Sequence, residues 1–252
     1  MADTLFERMR ALAAESDFNG VEREAEAAMA EADPEQRADL WGYLAWAAIE
    51  QGLYPKALDA AQRSGDLLYE AEARMHLWDF ERAASALEAF EPEDDEDAAD
   101  AAWFRGLIAE FQDEDPQPWF ERAVALAPEL YVMPSRLTED EVDEVVEGAL
   151  DSLPEGVAEE VAQAAVVLKE LPEQHPDVDP FSLGLYLGAN RMERGHDDGG
   201  MLPSRIEIYR RNIERYAADP EEAIVELRIT LLHEIGHHLG YEEEDLERLG
   251  LE

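Results

Sequence analysis

The first half of the chain repeats one pattern. Alanine-rich segments with apolar residues three and four apart are broken by short turn signals, which predicts helix after helix. Beyond "LAPELYVMPSRLTEDEV" the pattern changes. Thr138 and Glu141 form a capping box that opens a helix over "EDEVDEVVEGALDSLP", stopped before Pro154. "VVL" in "VAQAAVVLKELP" predicts a short strand, and "LGLYLG" and "RIEIYRRNI" predict two more, joined by a Gly-rich hairpin loop. The last long segment starts at Asp219-Pro220-Glu221-Glu222, where Asp219 can cap, Pro220 suits the first helical position and the acids complement the positive helix end. It runs through "EEAIVELRITLLHEIGHHL" to Gly240, with Ile224, Leu227, Leu231 and Ile235 on one side and Ile229 and Leu232 beside them. That is a packed central helix. The charged stretches "EPEDDED" (91–97) and "DEDPQP" (113–118) predict loops. The whole reads as α+β: an all-α domain over residues 1–130, then a small α+β domain over 131–252, with the boundary falling near 129–136.

Composition narrows the function. The chain has 252 residues, 46% of them apolar, so it can bury a core in one large domain or two smaller ones. It has no cysteine, which removes disulfides and thiolate metal sites and leaves His, Asp and Glu as the strong ligands. Net charge is −42, and this field argues against nucleic acid or an anionic membrane as partner. Acidic residues are spread along the chain and lysines number two, Lys56 and Lys169, a pattern that fits adaptation to high salt better than an acidic tail recruiting a basic partner. The first residues, "MADTLFERMR", carry no apolar signal segment and no apolar run approaches the roughly 20 residues of a membrane span, so the expectation is a cytoplasmic protein.

In the helical half, "LWGYLAWAAIEQGLYPKALDAAQRSGD" resembles a tetratricopeptide repeat: Trp41 and Leu44 open the first helix, small Ala45 packs at the crossing, Gly52 and Tyr54 make the turn, and Ala57 is the small residue of the second helix. Ala71, Phe80 and Ala83 repeat the mutual spacing of Ala45, Tyr54 and Ala57, and "WFERAVALAP" echoes "DFERAASAL". Small residues let paired helices approach closely. This resemblance implies a partner- or substrate-binding module, with no catalytic group of its own; His76 reads as a packing or surface residue.

Three of the six histidines fall within the last turns of the central helix. His233 and His237, four apart, project from one helical face and can grip one Zn²⁺, while Glu234 can reach the open side of the ion and deprotonate a water there. This is the H-E-x-x-H pattern of zincins. If Gly240 turns the chain sharply back, as in metzincins, the third ligand falls ten residues after His233, at Glu243; Glu244 and Asp245 are close enough to serve instead. His238 points off that face and reads as a residue backing the ligands or a surface group, while His175 and His196 lie in loops and read as surface residues, with His196 able to approach the site.

From about Thr138 onward, on "VVEGALDSLP", "LGLYLG", "PSRIEIYRRNIE" and "TLLHEIGHHLGYEEEDLERLG", the chain is similar to the bacterial zincin-like minimal metallopeptidases, whose signature is H-E-x-x-H-x-x-G-x-x-D. The resemblance implies zinc bound by His233 and His237, Glu234 as general base, Glu243 standing where the family has Asp, and a peptide or protein substrate. "RIEIYRRNI" is then the expected edge strand for an extended peptide, and Tyr186, Tyr209 and Tyr241 are candidates to assist the oxyanion. The competing expectation is an adaptor whose metal site is structural or vestigial; the intact Glu234 favours the enzyme.

Overall fold

The computed structural model describes residues 2–162, 164–175, 178–188, 204–242, 244–245 and 248. They form two compact units, Met1–Tyr131 and Val132–Glu252.

The first unit is all helix. Its elements are α1 (Ala2–Ala14), α2 (Phe18–Met29), α3 (Pro34–Glu50), α4 (Tyr54–Ser64), α5 (Leu67–His76), α6 (Phe80–Ala89), α7 (Asp95–Phe111) and α8 (Gln117–Leu126). Successive helices pack in pairs, α3 on α4, α5 on α6 and α7 on α8. The close approaches are made by small residues: Ala45, Ala57, Ala71 and Ala83 are all fully buried. Gly106 of α7 serves α8 in the same way, since a Cβ there would lie 2.5 Å from the ring of Phe120. The starts are capped as the residue types require. Asp33 and Gln36 make a reciprocal box at α3, and Asp66 accepts from the amides of Leu68 and Tyr69 at α5. Two expected loops are shorter than their charge suggested. Asp94 caps α7, so Asp95 to Asp97 belong to its first turn, where acids oppose the positive helix end. Gln117 likewise opens α8.

The second unit joins helices to a small sheet; its elements among the described residues are α9 (Glu139–Asp151), α10 (Glu155–Val161), β1 (Ala165–Lys169), β2 (Gly184–Leu187), β3 (Arg205–Tyr209), α11 (Arg210–Tyr216) and α12 (Pro220–Leu239). The capping box of Thr138 and Glu141 is present, Asp219 accepts from the Glu222 amide, and Gly240 closes α12 in the left-handed conformation at φ 89°. Strand order is β1-β3-β2, with β1 parallel and β2 antiparallel to β3. β3 is therefore the centre of the described sheet and β2 is an edge, which corrects the expectation that "RIEIYRRNI" supplies the edge strand. Burial explains the order, because four of the five β3 residues are buried, as a strand covered on both faces must be. The second part of that segment is not strand at all. Arg210 to Tyr216 turn directly into α11, where Arg210 and Arg211 reach Glu214 one turn on. The expected hairpin loop lies outside the described residues.

Ile206 and Ile208 of β3 point into one apolar cluster with Leu227, Leu231 and Ile235 of α12 and Val142 and Ala149 of α9. That core fixes the last turns of α12 against the sheet, and the candidate chemistry sits on those turns. Among the described residues no helix is long and apolar enough to cross a membrane.

Candidate metal centre

The last two turns of α12 carry His233, Glu234, His237 and His238. Helical spacing places His233 and His237 on one face, and their Nε2 atoms converge to 3.0 Å, with ring centroids 4.6 Å apart. Both rings are half-buried. Two nitrogens that each bind one ion at about 2.0–2.1 Å cannot stand more than about 4.2 Å apart, so the observed separation fits a shared ion. The other nitrogen of His237, Nδ1, lies 3.3 Å from the carbonyl oxygen of Tyr241. When Nδ1–H donates to that carbonyl the Nε2 lone pair is left for a metal, and the ring is held in orientation. The left-handed Gly240 delivers the carbonyl there by turning the chain straight after the helix.

Glu234 is buried, at 7% exposure, next to β2. The contact depends on a glycine. A Cβ on Gly184 would lie 2.9 Å from Cγ of Glu234, 2.9 Å from Cγ2 of Thr230 and 3.1 Å from Glu234 Oε1. The bare backbone of β2 thus forms a wall against the carboxylate. Two residues on, Tyr186 faces the same helix one turn later, its ring edge-on to His238 at 5.3 Å and its hydroxyl bonded to Ser204 Oγ at 3.1 Å. His238, at 2% exposure, is thereby a buried packing partner of the edge strand and not a surface group.

The three candidate tyrosines separate clearly. Tyr209 is buried and its hydroxyl donates to Glu207 Oε2 at 2.9 Å. Burial, the bond to Glu207 and the charges of Glu207 and Glu234 all hold its proton on, placing it well above the usual phenol range. Tyr186 is bonded to Ser204, and the Tyr241 side chain is 46% exposed while its backbone carbonyl faces His237. Glu207 is also buried, paired with Lys169 at 3.1 Å and with Arg205, so the charge on this side of β3 is balanced.

Glu243 lies outside the described residues, as does His196. Of the alternatives, Asp245 pairs with Arg248 and Glu244 is exposed. Among the described residues no group of three His, Asp or Glu side chains converges on one point. His175 is exposed, as expected, and His76 stacks on Tyr54 at 4.0 Å and 8°, a packing histidine of the helical unit.

Gly184 and Thr230 are parts of this site that the sequence pattern alone did not single out. A glycine inside a strand pattern is the available signal for the first, because it marks a place where another group approaches the backbone closely.

A family model described as Zincin-like metallopeptidase matches residues 157–251, which takes in all three strands and α12 and begins within α10. No curated protein matches the chain.

Proposed function

We propose that the chain is a zinc-dependent peptidase whose helical unit is a partner- or substrate-binding module. The convergence of His233 and His237 to 3.0 Å, with Glu234 buried between them in sequence on the same helix, carries this reading. His233 and His237 would hold the ion, and Glu243 is assigned as the third ligand. When bound, zinc supplies Lewis acidity that makes water a nucleophile near neutral pH.

The chain's own residues do the rest. The Glu234 carboxylate takes a proton from water as the water oxygen bonds to the scissile carbonyl carbon. It then returns that proton to the amide nitrogen as the C–N bond breaks, giving a free carboxylate and an amine. Burial against Gly184 keeps the carboxylate in one place, and the Tyr241 carbonyl keeps His237 turned toward its partner ring. β2 is an edge of the described sheet and packs its face on α12 at Glu234, so an extended peptide that adds to that edge as a further strand would run close to the carboxylate.

The deciding experiment pairs metal analysis with peptide hydrolysis for the wild type and Glu234→Gln. One zinc per chain in both, with hydrolysis lost only in the variant, is the expected result. Equal cleavage by the variant would discard the mechanism. A folded wild-type chain that takes up no zinc would favour the adaptor reading.

A further inference from the structure

The helical unit has a groove of about 860 Å³ between α1, α3 and the start of α5. Its wall is aromatic. Phe6 stacks on Tyr43 at 5.5 Å, and Tyr43 meets Trp46 edge-on at 6.2 Å. Tyr69 closes the far side. These rings are only half-buried, so part of each faces the open groove.

The rim is acidic. Glu7 and Asp39 are exposed along it and Asp66 lies at its end, against one basic lining residue, Arg10. Negative charge continues beyond the lining. Burial foremost, and then Asp66, Glu72, Tyr43 and Asp100, raise the Tyr69 hydroxyl far above its ordinary value. Glu72 itself is pushed up to about 7, mainly by burial, with Glu50, Asp100 and Asp66 adding to the effect and His76 opposing it. In the lining itself the carboxylates of Glu7, Asp39 and Asp66 outnumber the single guanidinium of Arg10.

The floor is open. Gly42 sits within α3, where glycine costs stability relative to alanine. A Cβ on it would meet nothing within 4 Å, in contrast to Gly106 and Gly184, which make room for a neighbour inside the fold. No packing requirement explains Gly42, and its effect is to deepen the groove between Asp39 and Trp46.

Aromatic faces bordered by carboxylates suit a guanidinium or ammonium group, which is attracted by the ring and by the acid together. We propose that this groove docks a polypeptide segment of a partner through an arginine or lysine side chain, seated over Gly42 between the Tyr43–Trp46 wall and Asp39. The proposal rests on reading the helical unit as a binding module, and it is independent of the peptidase chemistry.

The test is fluorescence anisotropy with labelled octa-arginine, and octa-glutamine as neutral probe, against the full chain in 0.5 M NaCl. At that salt the general attraction of a strongly acidic protein is screened within well under 10 Å. Octa-arginine should bind and octa-glutamine should not. Gly42→Leu fills the floor without changing any charge, and Asp39→Arg reverses an exposed rim charge; each should weaken octa-arginine binding at least about tenfold. Circular dichroism checks that each variant is folded, and if Gly42→Leu is not, Asp39→Arg decides alone. Unchanged affinity in the folded variants, equal binding of octa-glutamine, or complete loss of wild-type binding in salt would each overturn the proposal. Because no cleavage is read, such a failure leaves the metal site untouched.

Discussion

Gly184 and Glu234 are in contact that only a missing side chain permits: a Cβ on the strand residue would lie 2.9 Å from Cγ of the glutamate. The edge strand is therefore pressed onto the helix at the residue that would move the proton. Gly184→Ala must displace Glu234, Thr230 or the strand itself. The expected outcome is a large fall in kcat with zinc content unchanged and stability lowered by about 1–3 kcal/mol. Hydrolysis assays, metal analysis and a urea melt on the same preparation check all three.

The two neighbouring histidines should respond in opposite ways. His237→Ala removes one of the converging nitrogens and should abolish stoichiometric zinc while leaving the fold largely intact. His238→Ala removes a buried ring packed against Tyr186, and should cost about 2–4 kcal/mol while retaining zinc. Zinc retained in His237→Ala would contradict the ligand assignment.

Glu72 predicts how stability depends on pH. Its carboxyl is raised from 4.5 to about 7, by burial first. The native state then holds a proton that the unfolded chain has released, so this group's favourable contribution is complete below pH 4.5 and is lost as pH rises through about 7. Wild type minus Glu72→Gln isolates the effect: the variant should be more stable at pH 8 by up to about 3 kcal/mol, and the gap should close by pH 5. Urea unfolding at the two pH values measures it.

Glu214 is fully buried, accepts from the Leu137 amide at 2.9 Å, and is paired with Arg136 and Arg211, each at 2.9 Å. Its own carbonyl accepts from the Ser135 amide. Glu214→Ala leaves the Leu137 amide without its acceptor and takes one carboxylate away from Arg136, Arg210 and Arg211, and should destabilise the chain by about 3–5 kcal/mol in denaturant. Glu214→Gln keeps an acceptor and should recover part of the loss.

The helices were legible because their signals are local. A cap at Thr138, a proline at 220 and a glycine at 240 act within a few residues, and the structure follows each one. The meeting of His233 and His237 was legible for the same reason, since a four-residue step on a helix fixes which side chains are neighbours. The sheet was different. Strand order depends on which hydrogen-bonding edges meet, and hydrophobic alternation in "RIEIY" is the same for a central strand as for an outer one. The Arg-Arg-Asn-Ile run after β3 was a missed helix signal: Arg210 and Arg211 stand four and three residues before Glu214 and pair with it. Gly184 falls inside the strand pattern "LGLYLG", and only the helix opposite shows why it is bare.

The order β1-β3-β2 also sets a timetable. β1 and β2 emerge first during synthesis, yet neither pairs with the other, because both bond to β3. Among the described residues, a nascent chain that stops short of Arg205 thus has two strands that share no ladder. Assembly waits on a late, nonlocal event, and until then the apolar faces of both strands stay uncovered, the state in which chains are most open to misassembly. The histidine-bearing helix follows β3 directly after α11, so the scaffold and the candidate centre are completed almost together.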